Sequence, residues 1–174
     1  TASSNFVNST EGFVINGGTV DGSVAAINGV SSGDINGDGL SDLIVGAYYT
    51  NYDQGSVYVI YGSSANTPRA TVDLSSLGGA SNTNGYRIIG EADTGFTVAG
   101  AADINGDGLD DVLLQSTTGK AGTNTNPGVA WVSFGKKDGT SINVSNIEAG
   151  TASGFAINMG ITTGNYGAYS IDSA

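Results

Sequence analysis

Two nine-residue stretches concentrate the side chains best suited to chemistry. They are Asp34-Ile-Asn-Gly-Asp-Gly-Leu-Ser-Asp42 and Asp103-Ile-Asn-Gly-Asp-Gly-Leu-Asp-Asp111. Each places oxygen-bearing side chains at positions 1, 3, 5 and 9, and a tight loop turns such alternate residues inward. A hard cation such as Ca2+ takes about 6–8 oxygen ligands at roughly 2.3–2.6 Å. The candidate ligands are Asp34, Asn36, Asp38 and Asp42 in one loop, and Asp103, Asn105, Asp107 and Asp111 in the other. Gly39 and Gly108 at position 6 permit the sharp turn, and the carbonyls of Leu40 and Leu109 at position 7 add a ligand each. Without a cation, the carboxylates crowded into each loop repel one another. Plain Asn/Asp/Gly turns with no metal are the alternative. The repetition of every ligand position favours Ca2+, about two ions per chain.

The loops are not EF-hands. Position 12, where an EF-hand carries a bidentate Glu, is Val45 in one loop and Leu114 in the other. A strand-like run follows instead of a helix, which argues equally against a dockerin. Mg2+ fits less well, because it demands a smaller, stricter octahedron that keeps several waters.

Composition removes other chemistries. The chain of 174 residues has no His and no Cys, which excludes Ser-His-Asp and Cys-His catalysis, Cys/His zinc sites and disulfides. Five basic residues face 16 acidic ones, for a net charge of −11. Such a surface repels nucleic-acid phosphates and anionic membranes and attracts cations. No apolar run approaches the ~18 residues of a membrane span. The acidic pair Asp110/Asp111 mimics a two-carboxylate hydrolase, but Asp111 is already assigned as a ligand, so no enzymatic site is expected. Lys136-Lys137 reads as a solvated turn. Asn8-Ser-Thr and Asn143-Val-Ser fit the N-glycosylation pattern, which arises often by chance in an Asn/Ser/Thr-rich chain.

The elements that must hold these loops repeat with them. Gly12-Phe-Val-Ile-Asn16 returns as Gly85-Tyr-Arg-Ile-Ile89 and again as Gly154-Phe-Ala-Ile-Asn158. Val72-Asp-Leu-Ser-Ser-Leu77 returns as Ile142-Asn-Val-Ser-Asn-Ile147. A unit of about 70 residues therefore runs over 12–84 and 85–153, after a lead-in at 1–11, and a third unit begins at 154 and breaks off at 174. The 29 glycines imply many tight turns between short elements. Leu43–Tyr49, Val57–Tyr61, Val112–Gln115 and Ala130–Phe134 read as strands. Val72–Leu77 and Ile142–Ile147 fit either a strand or a short helical turn. Residues 116–128 form a long polar loop. No long helix is predicted, and the fold class is all-β.

Gly33-Asp-Ile-Asn-Gly-Asp-Gly-Leu-Ser-Asp-Leu-Ile-Val-Gly-Ala47, followed by Gly55-Ser-Val-Tyr-Val-Ile-Tyr-Gly62, resembles the FG-GAP repeat. That repeat is the blade of the integrin α-subunit β-propeller and of many bacterial surface proteins. The second copy departs where Gln115-Ser116 replaces Gly46-Ala47 and Ala102 replaces Gly33. The resemblance implies four-stranded blades whose Ca2+ loop joins the first two strands. It also implies that ligands meet the opposite face, through loops that here include Thr50–Gly55 and Ser116–Gly128. Tyr48, Tyr49, Tyr52 and Asp53 are the candidate contact residues there.

Two repeats and the start of a third fall short of the 4–8 blades of usual propellers. A larger array or assembly is therefore expected. The implied role is a calcium-binding extracellular module for adhesion, meeting a surface protein or glycan or further copies of itself. The alternatives are a structural repeat that self-assembles into a surface layer or filament, and an accessory domain of a secreted enzyme.

Overall fold

The computed structural model of the chain describes residues 12–17, 19–20, 23–24, 27–50, 54–64, 71–79, 82–118, 128–158 and 171. In chain order the strands are β1 (Ile15–Asn16), β2 (Thr19–Val20), β3 (Ser23–Val24), β4 (Ile27–Gly33), β5 (Asp42–Ala47), β6 (Ser56–Ile60) and β7 (Val72–Asp73). They continue as β8 (Gly85–Ile89), β9 (Thr97–Ala101), β10 (Asp111–Ser116), β11 (Val129–Ser133), β12 (Ile142–Asn143) and β13 (Gly154–Asn158). A 3₁₀ turn covers Leu74–Ser76, and a short helix, α1, covers Val144–Glu148.

Two antiparallel four-stranded sheets dominate. The first runs β4-β5-β6-β8 with β12 added at its outer edge, and the second runs β9-β10-β11-β13. These are successive blades of the propeller type, and among the described residues they do not close into a barrel. The sheets and the sequence units are cut at different points of one period. β8, which opens the second sequence unit, pairs with β6 of the first, Ile60 opposite Gly85. β13 likewise completes the second sheet, with Trp131 opposite Ala156.

The segments compatible with either strand or turn contain both. Val72-Asp73 and Ile142-Asn143 are two-residue strands, and each closes into a helical turn capped by its own Asx side chain. Asp73 accepts from Ser75 N at 2.9 Å, and Asn143 from Ser145 N at 3.1 Å. Such caps satisfy N–H groups left orphaned at a helical N-terminus. Asn143, one of the two glycosylation candidates, thus has its side-chain oxygen occupied; Asn8 lies outside the described residues.

Alternation builds the core. Ile44, Val57, Val59, Tyr86 and Ile88 of the first sheet meet Val98, Val112, Leu114, Val129 and Trp131 of the second. Ile142, Val144 and Ile147 complete that cluster. The intervening positions Val45, Ala47, Tyr58 and Ile60 turn to the other face and pack on Val72, Leu74 and Leu77. β6 and β11 are buried along their whole length, since both faces of each are covered. Full burial of each large apolar side chain contributes about 1.5–3 kcal/mol. Trp131, fully buried, donates from Nε1 to Glu148 Oε1 at 3.0 Å, so its one polar atom is satisfied. The sheets approach closely where Gly46 lies against the next unit: a Cβ there would fall 2.4 Å from the Gly95 carbonyl oxygen.

Candidate metal centres

Each acidic loop joins the first two strands of its sheet, residues 34–41 between β4 and β5 and residues 102–110 between β9 and β10. The two loops adopt nearly the same bonding pattern. In the first, Asp38 N donates to Asp34 Oδ1 at 3.0 Å and to Asn36 Oδ1 at 2.9 Å. In the second, Asp107 N donates to Asp103 Oδ1 at 3.0 Å and Asn105 Oδ1 at 2.9 Å. The oxygens of positions 1 and 3 are thereby drawn to one point on the inside of each loop. Position 5 folds over the same turn, with Leu40 N bonding Asp38 Oδ1 and Leu109 N bonding Asp107 Oδ1, both at 2.9 Å. Gly39 and Gly108 make this possible at φ +84° and +87°, the left-handed region where side chains are disfavoured.

Position 9 behaves differently. Asp42 is 1 % exposed, and its carboxylate accepts Ile35 N at 2.9 Å, Asn36 N at 3.1 Å and Gly62 N at 2.7 Å. Asp111, fully buried, accepts Ile104 N and Gly135 N, each at 2.9 Å. Both carboxylates latch the loop to the turn after the third strand of the sheet. Burial pushes both pKa values up, against the pull of these N–H bonds, and neighbouring loop carboxylates push the same way. A carboxylate offers about four lone-pair sites. Three are taken at Asp42, so at most a single-oxygen contact remains there for a cation.

Among the described residues, no three acidic side chains are gathered closely enough to hold a metal ion as they lie. In each loop the oxygens of positions 1, 3 and 5 accept the loop's own N–H groups. The donor set is nevertheless the one a hard cation requires: oxygen only, from Asp34, Asn36, Asp38, the Leu40 carbonyl and Asp42, with the matching set Asp103, Asn105, Asp107, Leu109 and Asp111. In donor chemistry and in the turn at position 6, the residues fit Ca2+.

The loops are also bonded to each other, which spacing alone did not disclose. Asp34 N donates to Asp110 Oδ2 at 2.8 Å, Asp110 N donates to the Asp34 carbonyl at 3.0 Å, and Lys136 N donates to the Ile35 carbonyl at 3.0 Å. The only sequence signal for this clamp was the second carboxylate at Asp110, where the first loop has Ser41. Asp110 and Asp111 therefore face different partners, one the neighbouring loop and the other its own sheet.

The Lys136-Lys137 turn is solvated at Lys137, which is exposed, but only partly so at Lys136. Its side chain is 17 % exposed, with Nζ 3.0 Å from Asp138 Oδ1 and 4.9 Å from the centre of the Tyr86 ring. Tyr61 donates its phenolic proton to the carbonyls of Lys136 and Asp138, at 2.8 and 3.0 Å. A cleft of about 430 Å3 opens here, lined by the first loop at Asn36–Asp38, by Asn82–Thr83 and by Lys137–Gly139.

Of the candidate contact residues, Tyr52 and Asp53 lie outside the described residues. Tyr48 packs edge-on to Phe96 of the neighbouring unit, ring centres 5.5 Å apart, and is half-buried. Tyr49 is 49 % exposed and 4.3 Å from the Tyr48 ring centre. The structure thus divides the pair into a packing residue and an exposed one.

Residues 26–60 match the FG-GAP repeat family. The chain is 36 % identical over 88 residues to integrin alpha pat-2 of Caenorhabditis briggsae, covering 48 % of this chain and 6 % of that protein. It is 31 % identical over 114 residues to phosphatidylinositol-glycan-specific phospholipase D of Mus musculus, covering 63 % of this chain and 13 % of that protein. The chain spans a small part of either relative. No helix among the described residues is long and apolar enough to cross a membrane. A four-stranded sheet carrying the acidic loop between its first two strands, matched at those residues and repeated once, makes residues 26–60 an FG-GAP repeat in a chain similar to integrin α subunits.

Proposed function

We propose that this chain is a calcium-stiffened extracellular repeat module that presents its loops to a protein or glycan on a surface. The observation that carries the reading is the duplication of the loop. Two segments 69 residues apart keep the same oxygen donors at positions 1, 3, 5, 7 and 9 and repeat the same internal hydrogen bonds at positions 1, 3 and 5. The ion would relieve the repulsion among loop carboxylates and replace N–H bonds by stronger ionic contacts. Modules of extracellular type hold Ca2+ at about 10⁻⁴–10⁻³ M, so the ion outside cells is sufficient to load them. The net charge of −11 supports cation capture over contact with phosphate polymers. Similarity to integrin alpha pat-2 supports adhesion, with exposed Tyr49 as the contact residue that the described residues offer.

The likeness to a phospholipase D supports a second reading, an accessory module of a secreted enzyme. In that reading the chemistry lies outside these residues, and the loops serve the same stiffening role.

Isothermal titration with Ca2+ tests the proposal. Two ions per chain are expected, falling to one in Asp38→Ala and in Asp107→Ala, with Mg2+ binding at least tenfold more weakly. Absence of Ca2+ binding by the folded protein overturns it.

A further inference from the structure

The second loop grips the first through a residue that is not itself a candidate ligand. Asp110 stands at position 8 of the second loop, between the Leu109 carbonyl and Asp111, the donors at positions 7 and 9. Its carboxylate accepts Asp34 N at 2.8 Å, and its own N–H donates to the Asp34 carbonyl at 3.0 Å. Asp34 is position 1 of the first loop. One residue of the second loop thus holds both backbone polar groups of a candidate ligand in the neighbouring site.

Two glycines make room for this grip. A Cβ on Gly33 would lie 3.1 Å from Asp110 Oδ2, and one on Gly37 would lie 2.4 Å from Leu109 Cδ2. Asp110 and Leu109 therefore lie against the two ends of the segment 33–37, which carries Asp34 and Asn36. Position 8 of the first loop is Ser41, so the first loop carries no such carboxylate.

We propose that Asp110 is a positioning residue that couples the two loops, so that a cation held by the second raises the affinity of the first. The inference rests on the calcium reading above. With Leu109 and Asp111 engaged, the backbone on both sides of Asp110 is fixed, and Asp110 in turn fixes the backbone of Asp34. The first loop then gives up less conformational freedom when it takes its own ion, which is positive coupling without a change of shape. Linkage makes the coupling reciprocal, by the same factor in both directions. Charge works the other way, since an ion in one loop leaves less negative charge to draw the next. That effect passes between exposed loops and is screened over about 8 Å at physiological salt, whereas the grip acts through direct hydrogen bonds.

Isothermal titration with Ca2+ at physiological salt tests it, with near-UV circular dichroism of buried Trp131 confirming that each variant is folded. Asp107→Ala isolates the first site and Asp38→Ala the second. The two-ion constant of the unaltered chain should exceed the product of these single-site constants about fivefold or more. Asp110→Ala should remove that excess while both ions still bind. Asp110→Asn, which keeps an acceptor for Asp34 N without the charge, should retain most of it. Amide exchange gives a second readout. In Asp38→Ala, Ca2+ should slow exchange at Asp34 N although only the second loop is filled, and it should not do so in Asp38→Ala/Asp110→Ala. Two bound ions with a constant equal to the product overturn the coupling and leave the calcium reading standing. So does an excess that persists in Asp110→Ala or vanishes equally in Asp110→Asn, or Asp34 exchange that Ca2+ does not move in Asp38→Ala. A folded chain that binds no Ca2+ overturns both.

Discussion

The two acidic loops have nearly the same sequence and internal bonds, yet they sit in different surroundings. The first is clamped from outside by the second unit, through Asp110 of the second loop on Asp34 and Lys136 N of the turn after β11 on the Ile35 carbonyl. The second has no such clamp from the described residues of a following unit. The first latch, Asp42, takes three backbone N–H groups, and the second, Asp111, takes two. Short-range sequence thus sets the loop's shape, and the next unit in the chain sets how firmly it is held.

The largest effect should come from removing the element shared by both regions. Trp131→Ala empties the junction between the sheets and should cost about 3–5 kcal/mol in denaturant unfolding. The latches should then separate the loops. Asp42→Ala strands three buried N–H groups and should cost about 1–3 kcal/mol, with Asp111→Ala smaller by about 1 kcal/mol. Equal costs would erase the distinction between the latches.

A smaller effect tests the clamp directly. Asp110→Ala, a change in the second loop, should cost about 1–2 kcal/mol and raise amide hydrogen exchange at Asp34 in the first. Exchange confined to the second loop would show the two to be independent.

The smallest effect concerns the turn that carries Lys136. Hydrogen bonds from Thr140, together with Lys136, hold the Asp138 carboxyl down at about 2. A depressed folded value stabilises the protein above the unfolded value near 3.9 and is lost as pH falls through about 2. Asp138 is largely exposed, so solvent screening keeps the effect below about 1 kcal/mol. In Asp138→Asn this part of the acid-side slope should disappear from urea midpoints measured between pH 5 and pH 2.

Much of this was legible in the sequence because it is local. Strands such as Val57–Tyr61 follow from β-branched and aromatic runs bounded by turn residues, and the loops follow from Asp, Asn and Gly spacing. The phase of the sheets was not legible. Gly85–Ile89 opens a repeat in sequence, but its ladder partner is β6 of the unit before, and a periodic sequence carries no mark of where a sheet is cut. The latch role of Asp42 was equally hidden, since the N–H it receives from Gly62 comes from 20 residues away. The substitution of Gly46 by Gln115 was visible, and its consequence was not. Gly46 admits the Gly95 backbone, whereas Gln115 is buried with neither amide atom hydrogen-bonded among the described residues.

We propose that the paired loops are calcium sites that staple the sheets. Thermal unfolding in excess chelator, in Ca2+ and in Mg2+ tests it most directly. At a hundredfold excess over Kd, each ion adds about 2.7 kcal/mol, which is about 5–10 °C for a domain of this size. The midpoint should climb by about that much per site with Ca2+, climb little with Mg2+, and not climb in the Asp38→Ala/Asp107→Ala double variant. A folded protein whose midpoint is the same in chelator and in Ca2+ would contradict it and leave the loops as hydrogen-bonded turns.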